Sequence, residues 1–254
     1  MSSIEERIRA QLLTTKSLPV STTWISSFLA SISQNQQRAP PSALAQTALF
    51  RILTTDFAQT LSASTPSTLL PRDISNPSTK ERRVSGPVPV QVLDIEDIGS
   101  SMWSQVEKIE QIERGETIRG REIVRNVNVD NADNITEGTM NNSSRSTGTT
   151  TSNGPHRLIL QDAAGTKTVA LEYKDINGIS IEKLSIGAKL VLKDITVARG
   201  IVLLTPDTVT LLGGKVEAWD TTWRQQRKEN LLAKIDTLYA EQNGATGNED
   251  AMEE

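Results

Sequence analysis

The sequence predicts an α+β protein: an N-terminal three-helix bundle, then a five-stranded OB-type β-barrel with a long insertion and a C-terminal helix. Three observations carry that prediction. Residues 1–61 hold three apolar stripes at helical spacing. Residues 187–217 hold the densest β-branched and leucine content of the chain, as short apolar runs at 190–195, 201–204 and 209–212. Turn signals bound those runs: Asp194, Arg199-Gly200, Pro206-Asp207 and Gly213-Gly214. Between the two regions, residues 130–155 carry Asn, Ser, Thr and Gly with almost no apolar side chain.

The helices come first. Ser3 and Glu6 are spaced as a capping box, with Ile4, Ile8 and Leu12 following on one face until Pro19. Val20 and Ile25 are spaced as a hydrophobic staple across a start near Ser21, and Trp24, Phe28 and Ile32 share a stripe. Pro40-Pro41-Ser42 opens a third helix, in which Leu49, Leu53, Phe57 and Leu61 recur every four residues. Residues 62–86 shift to Ser, Thr, Pro and charge and read as a linker, with Lys80-Glu81-Arg82-Arg83 as a solvated face of it.

From Pro87 the chain turns extended. Val88, Val90 and Val92 alternate, and then the apolar phase slips to Leu93 and Ile95, which predicts a bulge at the corner of a small barrel. Residues 101–114 return to helical spacing through Trp103, Val106, Ile109 and Ile112, and Gly115 ends them. Residues 117–129 interleave Arg119, Arg121 and Arg125 with Ile118, Ile123, Val124 and Val127 as a strand or an extended arm. The polar stretch 130–155 is expected to be disordered, because it cannot bury enough surface to offset its ordering entropy. Strands resume at 157–161 and 166–173, a short ambiguous segment covers 179–184, and two further strands cover 190–197 and 201–212, the last one bent. The barrel domain is thus placed at 87–239, with its insertion at 100–156 and a closing helix at 219–239 capped by Asp220. Residues 240–254 form an acidic tail expected to be disordered.

Composition excludes several functions. There is no cysteine, hence no disulfide and no thiolate metal site. No apolar run approaches the roughly 20 residues of a membrane span. The formal net charge of −4 speaks against a protein that coats nucleic acid. His156, the single histidine, reads as an exposed loop residue, and the trio Asp94, Glu96 and Asp97 lacks a converging ligand. No enzyme, cofactor, metal or small-molecule substrate is expected. Direct strand binding would need aromatic platforms among basic residues, yet Tyr173 is the single aromatic in a predicted strand, and Lys189, Lys193, Arg199 and Lys215 are scattered.

Gly-Ala-Lys-Leu-Val-Leu-Lys at 187–193 and the run at 197–217, with its Arg-Gly-Ile-Val-Leu-Leu-Thr-Pro and Leu-Leu-Gly-Gly-Lys-Val segments, resemble the signature of the RecQ-mediated genome instability protein 1 family. Residues 90–99 and 120–125 resemble its fungal branch, and Trp24-Ile25 with Leu53-Thr54-Thr55-Asp56 resemble its helical domain. The resemblance implies a non-catalytic scaffold and regulatory subunit of a RecQ helicase–topoisomerase III complex in the nucleus. Such a complex dissolves double Holliday junctions in homologous recombination. It implies contact with the topoisomerase through the barrel and through an insertion between its first and second strands, here residues 100–156. The contacts expected there are Met102, Trp103, Ile118, Arg119, Arg121, Ile123 and Arg125, with Lys189 of the Gly-x-Lys motif on the barrel face. Trp103 also fits a residue that packs its helix back on the barrel, and Lys189 a solvated strand charge. Longer relatives carry a second barrel, and functions housed there are not expected of the 254 residues read here. The expected partners are topoisomerase III and a RecQ-family helicase, with weak DNA binding and no membrane. The alternative is a stand-alone single-stranded nucleic-acid-binding protein, whose affinity would fall steeply with salt.

Overall fold

The computed structural model describes residues 3–32, 39–115 and 154–246, with side chains as far as residue 241. The chain divides into two units, Met1–Ser100 with Ser152–Glu229, and Ser101–Thr151 with Asn230–Glu254. The first unit opens with α1 (Ile4–Lys16) and α2 (Thr22–Ser31). The capping box forms: Glu6 N–H donates to Ser3 Oγ at 3.2 Å, and Ser3 N–H donates to Glu6 Oε2 at 3.0 Å. Ile8 and Leu12 are buried but Ile4 is exposed, so the stripe begins one turn later than its spacing suggests. The staple pair Val20 and Ile25 is buried, and Trp24 stacks on Phe28 with ring centroids 5.4 Å apart.

The third helix, α3 (Pro41–Leu53), buries Leu44, Ala45, Ala48 and Ile52. It does not run on to Leu61 as the four-residue repeat suggests. Thr54 and Thr55 turn their hydroxyls back onto the Arg51 carbonyl, and Asp56 caps a separate short helix, α4 (Phe57–Thr60), by accepting from Ala58 N–H at 2.9 Å. The break lets Phe57 and Leu61 enter the core on a new axis.

Residues 62–86 are not a free linker. After a short 3₁₀ turn at Pro66–Thr68, Leu70 and Ile74 enter the barrel core. The chain then forms β1 (Glu81–Val84). Its charges conceal it: Glu81 and Arg83 are exposed on a sheet edge, and Arg82 pairs with Asp73 at 2.8 Å.

The remaining strands are β2 (Val88–Asp97), β3 (His156–Asp162), β4 (Lys167–Glu172), β5 (Lys189–Leu192), β6 (Ile195–Ala198), β7 (Ile201–Leu204) and β8 (Val209–Gly213). They form one sheet in the order β1-β6-β7-β4-β3-β2-β5-β8, antiparallel except for β4 and β7. Two residues, Lys193 and the left-handed Asp194 (φ 51°), separate β5 from β6, so these are one strand bent across the sheet. Its halves stand near opposite ends of the pairing order, which curls the sheet on itself. The same holds for β7 and β8, so the five expected strands are present with two of them bent. The expected bulge is present too, as a register shift between Val92 and Asp94. The ambiguous segment 179–184 forms turns whose Ile179, Ile181 and Leu184 are buried in the core.

The closing helix begins two residues earlier than expected, at Glu217. In the second unit, α5 (Met102–Glu113) ends at Gly115, whose φ is 73°. The long α6 (Glu217–Thr246) starts in the first unit and ends in the second. Asp220 is therefore inside its first turn, not at its cap. It is buried, accepts from Ile186 N–H at 2.9 Å, and pairs with Arg224 at 2.9 Å. Burial pushes its carboxyl up, but the Arg224 and Ile186 bonds outweigh that and hold it below the ordinary carboxylate value. Trp219 and Trp223 pack on the barrel core, and Trp223 Nε1 donates to Asp94 Oδ1 at 2.7 Å.

Gly213 and Gly214 both have positive φ, at 78° and 83°. A Cβ on Gly213 would meet nothing within 4 Å, whereas one on Gly214 would lie 2.4 Å from the Leu53 carbonyl oxygen at the end of α3. Gly213→Ala should therefore cost about 1–2 kcal/mol, the strain of the left-handed region alone. Gly214→Ala should cost about 3 kcal/mol or more, because it also pushes α3 off the barrel. Chemical denaturation of both variants checks the order; equal losses would contradict the close approach.

Candidate functional site: the helix–barrel junction and the root of the insertion

Lys189 was expected on an exposed face of the barrel. It is instead completely buried where the helices meet the sheet. Its ammonium lies 4.6 Å from the centre of the Phe57 ring and donates to Gln91 Oε1 at 2.8 Å. Both readings of this residue, partner contact and solvated charge, require exposure, and the helical bundle removes it.

Gln91 organises the junction. It interrupts the buried apolar run Val88–Val92 at the start of β2, and its amide is fully used. Oε1 accepts from Phe57 N–H at 2.9 Å and from Lys189. Nε2 donates to Asp56 Oδ1 at 2.7 Å and to Gln161 Oε1 at 3.1 Å. Asp56 thus caps α4 and holds Gln91 at once. Burial pushes the Lys189 ammonium down to about 7, against the pull of Asp56. The position of Gln91 between Val90 and Val92 is the signal that sequence reading could have used: a polar side chain in a buried run needs a partner.

A second polar cluster closes the root of the insertion. Ile98 N–H donates to the Pro155 carbonyl at 3.1 Å, and Asp97 Oδ1 accepts from Gly99 and Ser100 N–H at 2.9 and 3.1 Å. His156 is not an exposed loop residue; it begins β3 and is 1% exposed. Its Nδ1 is 2.6 Å from Glu172 Oε2, which also accepts the His156 N–H at 3.1 Å, while Oε1 accepts from Ile176 N–H at 2.8 Å. Glu172 thereby ties the returning strand to the turn after β4. The acidic trio is likewise structural: Asp94 holds Trp223, Glu96 pairs with Arg157 at 2.9 Å, and Asp97 shapes the turn. No group of His, Asp or Glu side chains suited to a metal ion occurs among the described residues.

The insertion leaves this root as α5. Ser101 Oγ caps it by accepting from Ser104 N–H at 3.1 Å. Met102 is half-buried. Trp103 is 55% exposed, and its Nε1 reaches the Tyr239 hydroxyl of α6 at 3.4 Å. Ile118, Arg119, Arg121, Ile123 and Arg125 lie outside the described residues.

A family model described as the RMI1 N-terminal helical domain matches residues 12–60, and one described as the RMI1 N-terminal OB-fold domain matches residues 70–227, more than half of the chain. The chain belongs to the RecQ-mediated genome instability protein 1 family. The fission yeast (Schizosaccharomyces pombe) protein of that name is 29% identical over 148 residues, 57% of this chain and 63% of the relative. The Xenopus laevis protein of that name is 37% identical over 81 residues, 31% of this chain and 14% of the relative. The chain therefore spans less than two thirds of either relative. The family's two domains meet the structure at sensible points: the helical match ends at Thr60, beside Leu61 of the bundle core, and the OB-fold match starts at Leu70, in the barrel core.

The depressed Lys189 sets a pH dependence. The unfolded chain holds that proton up to its ordinary value of 10.5 and the folded chain only to about 7, so between these the unfolded state binds more protons. Stability should rise with pH across this window and be lost as pH falls back through it. Lys189→Met removes the titrating group, so its unfolding midpoint should climb less than the parent's between pH 7 and pH 10, about the window of the shift. Parallel midpoint-versus-pH curves for the two proteins would contradict the assignment.

Proposed function

We propose that the protein is a non-catalytic scaffold and regulatory subunit of a nuclear RecQ helicase–topoisomerase III complex, promoting decatenation and dissolution of double Holliday junctions. The observation that carries the reading is the pair of family matches, helical domain and OB-fold domain in order, over a bundle and a barrel joined by one buried junction. The names of the relatives point to genome stability in a RecQ pathway. The polar groups of the described residues fit a binding protein. His156 Nδ1 pairs with Glu172, and the carboxylates of β2 serve Trp223, Arg157 and a turn. The insertion is the element proposed to act on the topoisomerase, through Met102, Trp103 and the Arg/Ile segment 118–125.

Deleting residues 128–153 and bridging the gap with Gly and Ser should leave cooperative unfolding intact, since loop closure changes by only about 0.6 kcal/mol per doubling of length. Gly154 should be kept, because it packs against Asp97. Deleting residues 102–153 should abolish stimulation of topoisomerase III decatenation while the barrel still folds. A folded deletion variant that stimulates fully would place the activity on another surface. Tight, salt-sensitive binding of a single-stranded oligonucleotide without any partner would favour the alternative reading.

A further inference from the structure

The basic run at 80–83 ends in a motif that neither the barrel core nor the proposed function uses. Arg82-Arg83-Val84-Ser85 places arginines three and two positions before a serine, and these are the only adjacent arginines of the chain. Arginine-directed serine/threonine kinases read this spacing through carboxylates in their substrate groove, which take the guanidinium forks. A motif this short has force only where the fold presents it, and three features do. First, β1 is the edge strand of the sheet and pairs with β6 alone, over Glu81–Val84. Its backbone is already extended, the form in which a kinase groove takes its substrate. Second, alternation puts Glu81, Arg83 and Ser85 on the outward side, where all three are exposed, and turns Val84 towards the core. Third, the Ser85 hydroxyl makes no hydrogen bond and Arg83 no ion pair among the described residues.

Backbone and ion-pair contacts hold the motif closed. Arg82 grips Asp73 through both terminal guanidinium nitrogens, at 2.8 and 2.9 Å. Arg199 N–H donates to the Thr79 and Lys80 carbonyls at 3.2 and 3.3 Å, just before β1, and Asp194 N–H donates to the Ser85 carbonyl at 2.8 Å, just after it. None of these engages the Ser85 hydroxyl. The Asp73 side chain is 63% exposed, and a solvated pair of this kind is weak. A four-residue edge strand with solvated anchors belongs to the part of a fold that opens locally. We infer that Ser85 is a phosphorylation site for an arginine-directed serine/threonine kinase, reached when β1 leaves β6 and Arg82 exchanges Asp73 for carboxylates of the kinase. In the transfer, Ser85 Oγ attacks the γ-phosphorus of ATP. The Oγ–P bond forms as the bond from that phosphorus to its β,γ-bridging oxygen breaks, ADP leaves, and the hydroxyl proton passes to the catalytic carboxylate of the kinase. The inference stands apart from the proposed function, since neither helicase nor topoisomerase enters it.

The test uses the folded full chain, magnesium and ATP, with the catalytic subunit of cyclic-AMP-dependent protein kinase as the probe of the arginine-directed class. Phosphate incorporation gives the initial rate and tandem mass spectrometry the site. The parent chain should be labelled mainly at Ser85, and Ser85→Ala should lose that label. Arg83→Ala removes an exposed side chain without an ion pair, so the fold is kept, and the rate at Ser85 should fall about tenfold or more with the loss of a charge-assisted contact to the kinase. Asp73→Asn frees Arg82 and should raise the rate by about two- to fivefold, the range that a solvated ion pair spans. Label at Ser85 that appears only after the chain is unfolded by heat would overturn the inference. So would a rate untouched by Arg83→Ala, or label that lies elsewhere and survives Ser85→Ala. An unchanged or lower rate in Asp73→Asn would overturn the masking of Arg82.

Discussion

The amide of Gln91 is the constraint on which the rest depends. It sits in the middle of β2, the strand that pairs with both β3 and β5, and it has no water to fall back on. All four of its bonds are made, to Phe57, Lys189, Asp56 and Gln161. An unmet buried amide costs about 1–3 kcal/mol, so the helices that supply Asp56 and Phe57 can hardly separate from the barrel without exposing or stranding it. The apolar contacts agree: Ala163 and Leu212 of the barrel belong to the core of the helical bundle. The helical and barrel domains therefore behave as one body, and the surfaces left for partners are those this junction does not consume.

That arrangement explains where binding capacity remains. The interior of the junction takes Lys189 out of play. The root of the insertion is fixed by Asp97, His156 and Glu172, so whatever the insertion does, its two ends leave the barrel at a defined place. A rigid body with an anchored insertion suits the scaffold role proposed above.

Much of the fold is legible in the residues. The capping box at Ser3 and Glu6, the staple of Val20 and Ile25, and the bulge at Val92–Asp94 are local signals with local causes, and each is present. The failures share one cause, which is that tertiary burial leaves no local mark. Lys189 in Gly-Ala-Lys-Leu-Val-Leu-Lys reads as the polar position of an alternating strand, and a covering helix 130 or so positions earlier buries it. The strand β1 hides in Glu81-Arg82-Arg83, Leu70 and Ile74 hide in a Ser/Thr/Pro segment, and His156 hides beside a long polar stretch. The break between α3 and α4 is marked locally by Thr54-Thr55-Asp56, but the four-residue apolar repeat of Leu49, Leu53, Phe57 and Leu61 runs across it. Of the expected contact residues, Met102 and Trp103 lie on α5 as placed, Lys189 does not lie on a surface, and the remaining five fall outside the described residues.

The most direct measurement of the central claim, a rigid helix–barrel body that binds through surfaces away from its junction, is hydrogen exchange of the chain alone and with equimolar topoisomerase III. Residues 41–61 and 88–92 should be strongly protected in the free chain and unchanged by the enzyme, with new protection in the insertion. Binding that leaves the insertion unaltered and instead changes exchange at residues 41–61 would contradict a rigid helix–barrel body.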